Sequence, residues 1–288
     1  MLKLNESNKG YLLVFFTGVL WGTIGLFVSE MAKAGSSPEL TSFLRMALGL
    51  VIMLVIICFQ HGLKSLMLDA KTFAVCIIIG VLCNGIYNIF NSLSVINNGV
   101  AVASVLMYTA PVFTALAARL LFKERITRRK IFALILNIIG CVLVVTGGNF
   151  VDFNLNLRGI LYGIGAGFCF GMSAIAGKAA ASHAKPVVIA AWSYFFAALF
   201  ILIFAKPDFS ILNFKILWIG FLFAVIPTAM AYILYYPGLA RVKSAARVPV
   251  VASIEPVTAA LIGLLIYNES LGIANFAGIA IVIISIMI

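Results

Sequence analysis

Charged residues are scarce in this sequence, which has only nine Asp and Glu and 20 Lys and Arg among 288 positions, or 10% charged in all. Soluble domains carry about 25% charged and about 45–50% apolar residues. Here 64% of the residues are hydrophobic and the mean hydropathy is +1.17. The shortage of charge excludes a water-soluble globular protein, and the abundance of apolar residues excludes a disordered one.

Signatures of catalysis and metal binding are also few. Both histidines, His61 and His183, fall in predicted loops, and the chain contains no H-E-x-x-H, G-x-S-x-G or Asp-rich phosphate motif. The five cysteines lie in apolar runs and form neither a C-x-x-C pair nor a Cys/His group. We therefore predict no enzymatic activity, no metal and no cofactor, with the cysteines reduced and used for packing.

Long apolar segments fill nearly the whole chain. A membrane-spanning helix needs about 20 apolar residues, and breaks at charges, prolines and polar clusters divide the sequence into ten segments. These cover about residues 11–31, 39–59, 72–95, 99–122, 130–148, 158–178, 187–204, 214–237, 244–267 and 273–288. The first is longer than the about 7–15 residues of a signal-peptide core and is predicted to be retained. The last is short and has no basic tail, so we expect truncation at the C-terminus.

Basic residues are distributed unevenly between the predicted loops. With the N-terminus inside, the inner segments hold 14 Lys and Arg and the outer segments four, while Arg45 and Arg119 lie within spans. The positive-inside rule therefore predicts that both termini are cytoplasmic. Because topology accounts for the net charge of +11, we expect a lipid bilayer as the partner, in a prokaryotic plasma or inner membrane, and no nucleic acid.

The two halves of the sequence resemble each other. Matching residues 145 positions apart are Tyr87 and Tyr232, Pro111 and Pro256, and Glu124 and Glu269. Five is an odd number of spans, so the second half would enter the membrane from the opposite side. We predict an all-α integral membrane protein of ten helices, arranged as two inverted five-helix repeats over residues 1–150 and 151–288. Such repeats are typical of secondary transporters, which bind substrate near the midplane between the halves.

Short motifs recur in a fixed order over essentially the whole length. They are Trp21-Gly22-Thr23 and Phe170-Gly171-Met172, Arg45 after Ser37-Pro38, Ala103-Ser104 through Pro111 to Lys123-Glu124-Arg125, and Ile254-Glu255-Pro256 to Tyr267-Asn268-Glu269. In this order they resemble the ten-helix drug/metabolite transporter superfamily, specifically its EamA-like branch. The resemblance implies secondary transport, commonly export of amino acids or other small metabolites, and it does not name the solute.

Polar residues follow one face of the third span. Asn84, Tyr87, Asn88 and Asn91 have the i, i+3, i+4, i+7 spacing that aligns side chains on a helix. Such a stripe is costly against lipid, so it serves either interhelical hydrogen bonding or a water-filled cavity. We predict a cavity lining, because four polar groups over two turns exceed what packing usually requires.

The eighth span offers a matching set of side chains. Thr228, Tyr232 and Tyr236 recur every four residues, and together with the third span they would suit a zwitterionic or aromatic solute. We add the aromatic residues Tyr108, Trp21 and Trp192 as candidate cavity residues, with core packing as the alternative.

Two charged residues lie within predicted spans. Glu255 is about eleven residues, or about 17 Å, into its span and hence near the bilayer centre. There it must be protonated, paired or exposed to water, because an ionised acid costs about 2.5–3.5 kcal/mol. It is either a proton-coupling site or a cap for backbone groups freed near Pro256. Arg45, about 9 Å inside its span, either snorkels to the interface or clamps a carboxylate of the substrate or of Glu255.

Prolines at equivalent places in the fourth and ninth spans, Pro111 and Pro256, each remove a backbone hydrogen bond and are predicted hinges. The leading hypothesis is thus a secondary active exporter of small metabolites, such as amino acids, that works by alternating access, with proton coupling as a further hypothesis. The alternative is a flippase of lipid-linked sugar or an exporter of hydrophobic cations or drugs. Ten spans suffice to enclose a cavity, so we expect a monomer, with a dimer as the alternative.

Overall fold

The computed structural model describes residues 5–149, 156–268 and 270–288, which are helical or form loops and contain no strand. Ten apolar helical segments follow one another along the chain. They are α1 (Glu6–Lys33), α2 (Pro38–Gln60), α3 (Ala70–Met107), α4 (Ala110–Phe122), α5 (Arg128–Thr146), α6 (Leu157–Ala181), α7 (Pro186–Phe204), α8 (Phe214–Arg241), α9 (Ala245–Ile266) and α10 (Ile273–Met287). All except α4 and α10 are long and apolar enough to cross a membrane, and those two are shorter apolar helices.

Polar side chains mark where several helices begin. The Ser37 hydroxyl accepts a hydrogen bond from the Leu40 amide before α2, and the Asp69 carboxylate accepts one from Thr72 before α3. Thr127 caps α5 in the same way. These bonds satisfy N–H groups of the first turn that have no partner inside the helix.

Glycine divides α3 within its apolar run. Gly99 has φ of 80° and ψ of 165°, a conformation that glycine adopts far more readily than other residues. The helix direction changes there, at the boundary between the third and fourth predicted spans.

Three backbone irregularities each occur twice, about 145 positions apart. They are wide π-helical turns at Ile79–Ile86 and Val225–Met230, helix breaks at Tyr108 and Ser253, and left-handed residues at Lys123 and Asn268, with φ of 54° and 53°. Proline explains the breaks. Pro111 and Pro256 each lie three residues after a break, and each lacks the N–H that would bond to the carbonyl four residues earlier.

The helices pack in reciprocal pairs. The part of α3 after its wide turn, Tyr87–Met107, lies along α6. The part of α8 after its wide turn, Ala231–Arg241, lies along α1, while α2 packs on α7 and α5 on α10. The largest buried apolar cluster lies between α1, α2, α3, α6, α7, α8 and the start of α9, and a second cluster joins the breaks to α5 and α10.

Glycines allow two helices to approach the proline breaks. A Cβ atom on Gly18 of α1 would lie 2.5 Å from the carbonyl oxygen of Ala252 in α9. On Gly171 of α6 it would lie 2.7 Å from the carbonyl oxygen of Ala110 in α4. Close backbone contact of this kind is what small residues permit between membrane helices.

Candidate functional site

An aromatic cluster occupies the middle of the helix bundle. The ring of Trp21 lies 5.8 Å from Phe170, 5.7 Å from Tyr232 and 5.1 Å from Tyr235, measured between ring centroids. Trp21 is 4% exposed, and its indole N–H has no hydrogen-bond partner among the described residues. A buried donor without an acceptor is destabilising, so the unpaired N–H of Trp21 needs an explanation that packing alone does not give.

A hydrogen bond joins the first wide turn to the helix that follows the second one. The Tyr232 hydroxyl donates to the side-chain carbonyl of Asn84 over 3.2 Å. The Asn84 amide in turn donates to the carbonyl of Ile79, five residues back, and the Thr228 hydroxyl donates to that of Phe223. Asn84 and Thr228 therefore satisfy carbonyls at the wide turns, and the bond between Tyr232 and Asn84 joins α3 to α8.

The rest of the predicted stripe on α3 has mixed surroundings. The Tyr87 hydroxyl donates to Met107 Sδ over 3.1 Å, and its ring lies 5.9 Å from Phe170. The side-chain amide of Asn88 donates to the backbone carbonyl of Asn84 over 2.6 Å. Asn91 is partly buried. The stripe thus combines local and interhelical hydrogen bonds with side chains that reach the aromatic cluster.

Arg45 points into the bundle. Its Nε donates to the Thr228 hydroxyl over 3.0 Å, and its guanidinium carbon lies 5.1 Å from the centre of the Phe223 ring. Thr228 lies in the middle of α8, so the expectation that Arg45 snorkels to the membrane interface is wrong. The hydrogen bond and the ring contact hold the guanidinium inside the protein instead.

Glu255 lies in a small pocket beside the two proline breaks. The pocket is lined by Tyr108, Pro111 and Phe170 among others. No hydrogen bond or ion pair of the Glu255 carboxylate is found in the part of the chain that the structure describes, so no contact supports the backbone-capping alternative.

A large cavity opens at the end of the bundle where α1 finishes and α10 begins. Its volume is about 760 Å³, and Lys33, Tyr267 and Asn275 line its mouth. Its lining extends inward to Tyr108 and Pro256. Tyr108 also lines the pocket of Glu255, so the cavity and the pocket share this residue.

A polar network closes the opposite end of the bundle. Glu124, in the loop after α4, accepts hydrogen bonds from the Ser244 hydroxyl over 2.5 Å and the Ala245 amide over 2.8 Å. It also pairs with Lys130 at 3.4 Å and Lys178 at 3.5 Å. Partial burial acts to raise the pKa of Glu124, but these hydrogen bonds and charges outweigh it, and the pKa lies below its ordinary value.

The same end is closed from α1 as well. The Tyr11 hydroxyl accepts a hydrogen bond from the Ser244 amide over 3.2 Å, and the Arg247 guanidinium lies 5.0 Å from the Tyr11 ring centre. The linker between α8 and α9 is therefore fixed to both α1 and the loop after α4. Glu269, the sequence counterpart of Glu124, lies outside the described residues.

Of the predicted cavity residues, Trp192 lies away from the aromatic cluster and Tyr236 packs against it. The Trp192 indole donates to the Leu66 carbonyl over 3.0 Å, and its ring packs against Phe73 and Phe196. It anchors the loop between α2 and α3, which contradicts its assignment to the cavity lining. Tyr236 is fully buried and packs on Tyr232 at 5.6 Å.

Sequence reasoning missed several residues of these sites. Tyr235 and Tyr194 complete the aromatic cluster, and the Tyr194 hydroxyl donates to the Thr228 carbonyl over 3.2 Å. The doublet Tyr235-Tyr236 next to the predicted Tyr232 was a signal for the first of them. The single acid among five basic residues was the signal that Glu124 has partners. Within the described residues, no three His, Cys, Asp or Glu side chains are grouped so as to hold a metal.

Apolar helices of this number and length make the chain a multi-pass membrane protein. A sequence profile of the EamA-like transporter family matches residues 8–146 and again residues 157–288, so the chain belongs to that family and to the drug/metabolite transporter superfamily. The family and the named relatives are transporters and not enzymes.

Individual relatives agree with the family. The chain is 24% identical to the uncharacterized inner membrane transporter YicL of Salmonella typhimurium, over 99% of this chain and 96% of that one. It is 25% identical to the uncharacterized transporter YwfM of Bacillus subtilis, over 98% and 94%. The riboflavin transporter ImpX of Fusobacterium nucleatum is 27% identical over 61% of this chain and 60% of its own. A solved crystal structure superposes with a TM-score of 0.79 at 18% identity, covering 96% of this chain and 95% of that one, and shows the same fold.

Proposed function

We propose that the chain is a secondary active exporter of small metabolites, with amino acids and related compounds as the substrate class. In this proposal the ten helices form two inverted repeats, residues 1–150 and 151–288, and both termini are cytoplasmic. The paired backbone irregularities, the two matches to the family profile and the bias of basic residues support this arrangement. A monomer provides the whole cavity.

One observation carries the proposal. The cavity of about 760 Å³ reaches Tyr108 and Pro256 from one end, while the Glu124 network closes the other. Alternating access requires a central site open to one side and closed to the other. With cytoplasmic termini, the open cavity faces outward, which is the state from which an exporter releases its substrate.

The side chains around the centre suit a zwitterion with an apolar or aromatic part. The carboxylate of Glu255 has no described partner and is matched to an ammonium group, and the guanidinium of Arg45 is matched to a carboxylate. The rings of Trp21, Tyr232 and Phe170 provide flat apolar surfaces. Riboflavin belongs in the same substrate panel because a relative is named as its transporter.

Glu255 is the proposed coupling residue. An acid deep in a membrane protein is costly when ionised and unpaired, so it takes up a proton when no cationic substrate group is present. Substrate and proton then compete for the same carboxylate, which yields antiport.

Counterflow in proteoliposomes tests the proposal. The twenty amino acids, amines, nucleosides and riboflavin would compete against one another at inside pH values of about 6 and 8. Exchange of one solute class by the native protein, with loss of pH dependence in Glu255→Gln, is expected. Asp208→Asn is the matched control, because this exposed loop carboxylate bonds only locally to Ser210. The proposal is refuted if no soluble compound exchanges. It is also refuted if Glu255→Gln and Asp208→Asn lose the pH dependence of exchange to the same extent.

A second candidate function rests on a groove between α2, α3 and α7. The groove has a volume of about 160 Å³ and is lined by Ser42, Asn88, Ile96 and Ile201. Glu39, Ser42, Asn88 and Ser92 are polar groups in an otherwise apolar lining, as a lipid-linked sugar or a hydrophobic cation would require. Widening the polar patch with Ile201→Ser should raise transport of such a cargo in a vesicle flipping assay. An unchanged rate removes this candidate.

A further inference from the structure

A cationic cavity lies at the closed end of the bundle, apart from the aromatic cluster. It has a volume of about 270 Å³ between the start of α5, the start of α9 and the end of α10. Arg129, Lys130 and Arg247 line it together with Thr127, no Asp or Glu side chain is among the lining residues, and Ile288, the last residue of the sequence, lines it as well. Three cations around one space attract an anion.

The partners of these cations leave donors available. Lys130 Nζ reaches Glu124 at 3.4 Å, a long contact shared with other donors to that carboxylate. Arg247 lies over the ring of Tyr11 and is partly buried. Among residues 5–149, 156–268 and 270–288, no carboxylate side chain lies within ion-pair distance of Arg129 or Arg247. A planar guanidinium in this position matches the oxygens of a phosphate group.

The walls of the cavity show which kind of anion fits. Leu134, Val250 and Met287 form its apolar side. A neighbouring cavity of about 150 Å³ shares Lys130 and Leu134, has Glu124 in its lining, and continues along Leu116 and Ile131. Leu116 is 51% and Ile131 47% exposed on the outer surface of α4 and α5, where lipid chains would contact them. A ligand with an anionic head and a long apolar chain uses both parts, whereas a free anion uses only the first.

We propose that this cavity binds the phosphate of an anionic phospholipid, with Arg129 and Arg247 as its main ligands and an acyl chain along α4 and α5. Basic pockets between membrane helices are suited to such headgroups. Because Lys130 belongs both to this cavity and to the Glu124 network, a bound lipid phosphate competes with Glu124 for its ammonium group. Anionic lipid therefore loosens the closed end of the transporter.

Native mass spectrometry of the intact chain in a neutral detergent tests the proposal. The protein would be titrated with phosphatidylglycerol, with phosphatidylcholine and with inorganic phosphate. We expect one phosphatidylglycerol to bind preferentially. The double variant Arg129→Gln, Arg247→Gln should bind it about 30-fold more weakly, since each cation contributes about a fivefold gain near an anionic lipid.

Arg128→Gln is the matched control, because Arg128 adjoins Arg129 in sequence but does not line the cavity. The variant Arg129→Lys, Arg247→Lys keeps both charges and should retain most of the binding, which separates loss of the site from loss of the fold. Circular dichroism confirms the helical content of each variant. The proposal is overturned if phosphatidylcholine or inorganic phosphate binds as well as phosphatidylglycerol does. It is also overturned if Arg128→Gln weakens phosphatidylglycerol binding as much as the double variant does.

Discussion

Tyr232, two residues after the wide turn of α8, donates a hydrogen bond of 3.2 Å to the side chain of Asn84, within the wide turn of α3, in the buried centre. The hydroxyl is the donor and the side-chain carbonyl is the acceptor, and the amide of Asn84 simultaneously satisfies a carbonyl of its own turn. One side chain thus stabilises an irregular helix and fixes its position against α8.

Removing that hydroxyl should destabilise the protein modestly. Tyr232→Phe keeps the ring contacts but leaves the side-chain carbonyl of Asn84 without its donor. We therefore expect the free energy of unfolding to fall by about 1 kcal/mol. Denaturant unfolding in detergent measures it. Tyr162→Phe is the control, because no hydrogen bond of the Tyr162 hydroxyl is found in the described part of the chain. Equal stability of the two variants contradicts the prediction.

The indole N–H of Trp21 should matter for transport more than for folding. Trp21→Phe preserves an aromatic ring and removes a donor that has no described partner, so stability should be retained to within about 1 kcal/mol. The apparent affinity for the counterflow substrate should fall about fivefold to tenfold, since one hydrogen bond is lost. Trp218→Phe changes an exposed ring and should leave the affinity unchanged. Unaltered affinity in Trp21→Phe would show that the donor does not meet the substrate.

Close approach at the proline break makes Gly18 sensitive to substitution. Gly18→Ala places a Cβ 2.5 Å from the Ala252 carbonyl oxygen, and separating α1 from α9 should cost about 1–3 kcal/mol. Gly25→Ala is the control on the same helix, where a Cβ meets no atom within 4 Å. That variant should be neutral or slightly more stable because alanine favours helix. Thermal unfolding of the two proteins compares them directly.

The Glu124 network should hold the closed end. Glu124→Gln removes the charge that pairs with Lys130 and Lys178, so we expect a longer distance between spin labels at Arg128 and Lys243 in a cysteine-free background. Glu6→Gln is the control, because Glu6 is 67% exposed and its pairs with Lys9 and Arg241 lie at the surface. An unchanged label distance in Glu124→Gln rules out this role.

The same network defines a dependence on pH. The pKa of Glu124 is lowered in the folded protein below its ordinary value of 4.5, so its contribution is fully present above that value and is lost as the pH falls through the lowered pKa. The label distance should stay constant from about pH 8 to about pH 5 and increase only in stronger acid. An increase already near neutral pH contradicts this assignment.

Helix positions follow from the sequence because charge and hydropathy decide which segments enter a membrane. The predicted segments 39–59 and 187–204 agree with α2 and α7 to within about two residues. The breaks near Pro111 and Pro256 also follow, since a missing N–H acts locally. The wide turns at Ile79–Ile86 and Val225–Met230 were not predicted, because their geometry depends on which helix packs against them.

Side-chain directions were harder to predict than helix positions. Sequence gives the depth of Arg45 but not the rotation of α2, and it is the rotation that directs the guanidinium to Thr228. The direction of Trp192 was equally hard to predict, because its indole bonds to the Leu66 carbonyl and the position of that loop between α2 and α3 does not follow from the sequence. The contact between Asn84 and Tyr232 fits the prediction that the polar stripe on α3 faces the tyrosines of α8.

The glycine contacts at the breaks also affect backbone polarity. Pro111 and Pro256 deprive the carbonyls of Met107 and Ala252 of their usual N–H donors, and a bare carbonyl in hydrocarbon is costly. Those same oxygens lie 3.2 Å and 2.5 Å from the positions where Gly167 and Gly18 would carry a Cβ. Each glycine therefore turns its Cα hydrogens toward a carbonyl without its usual donor, in the manner of a weak C–H···O bond. Because only weak C–H···O contacts join the helices at these carbonyls, either helix can shift along its partner without breaking a strong bond.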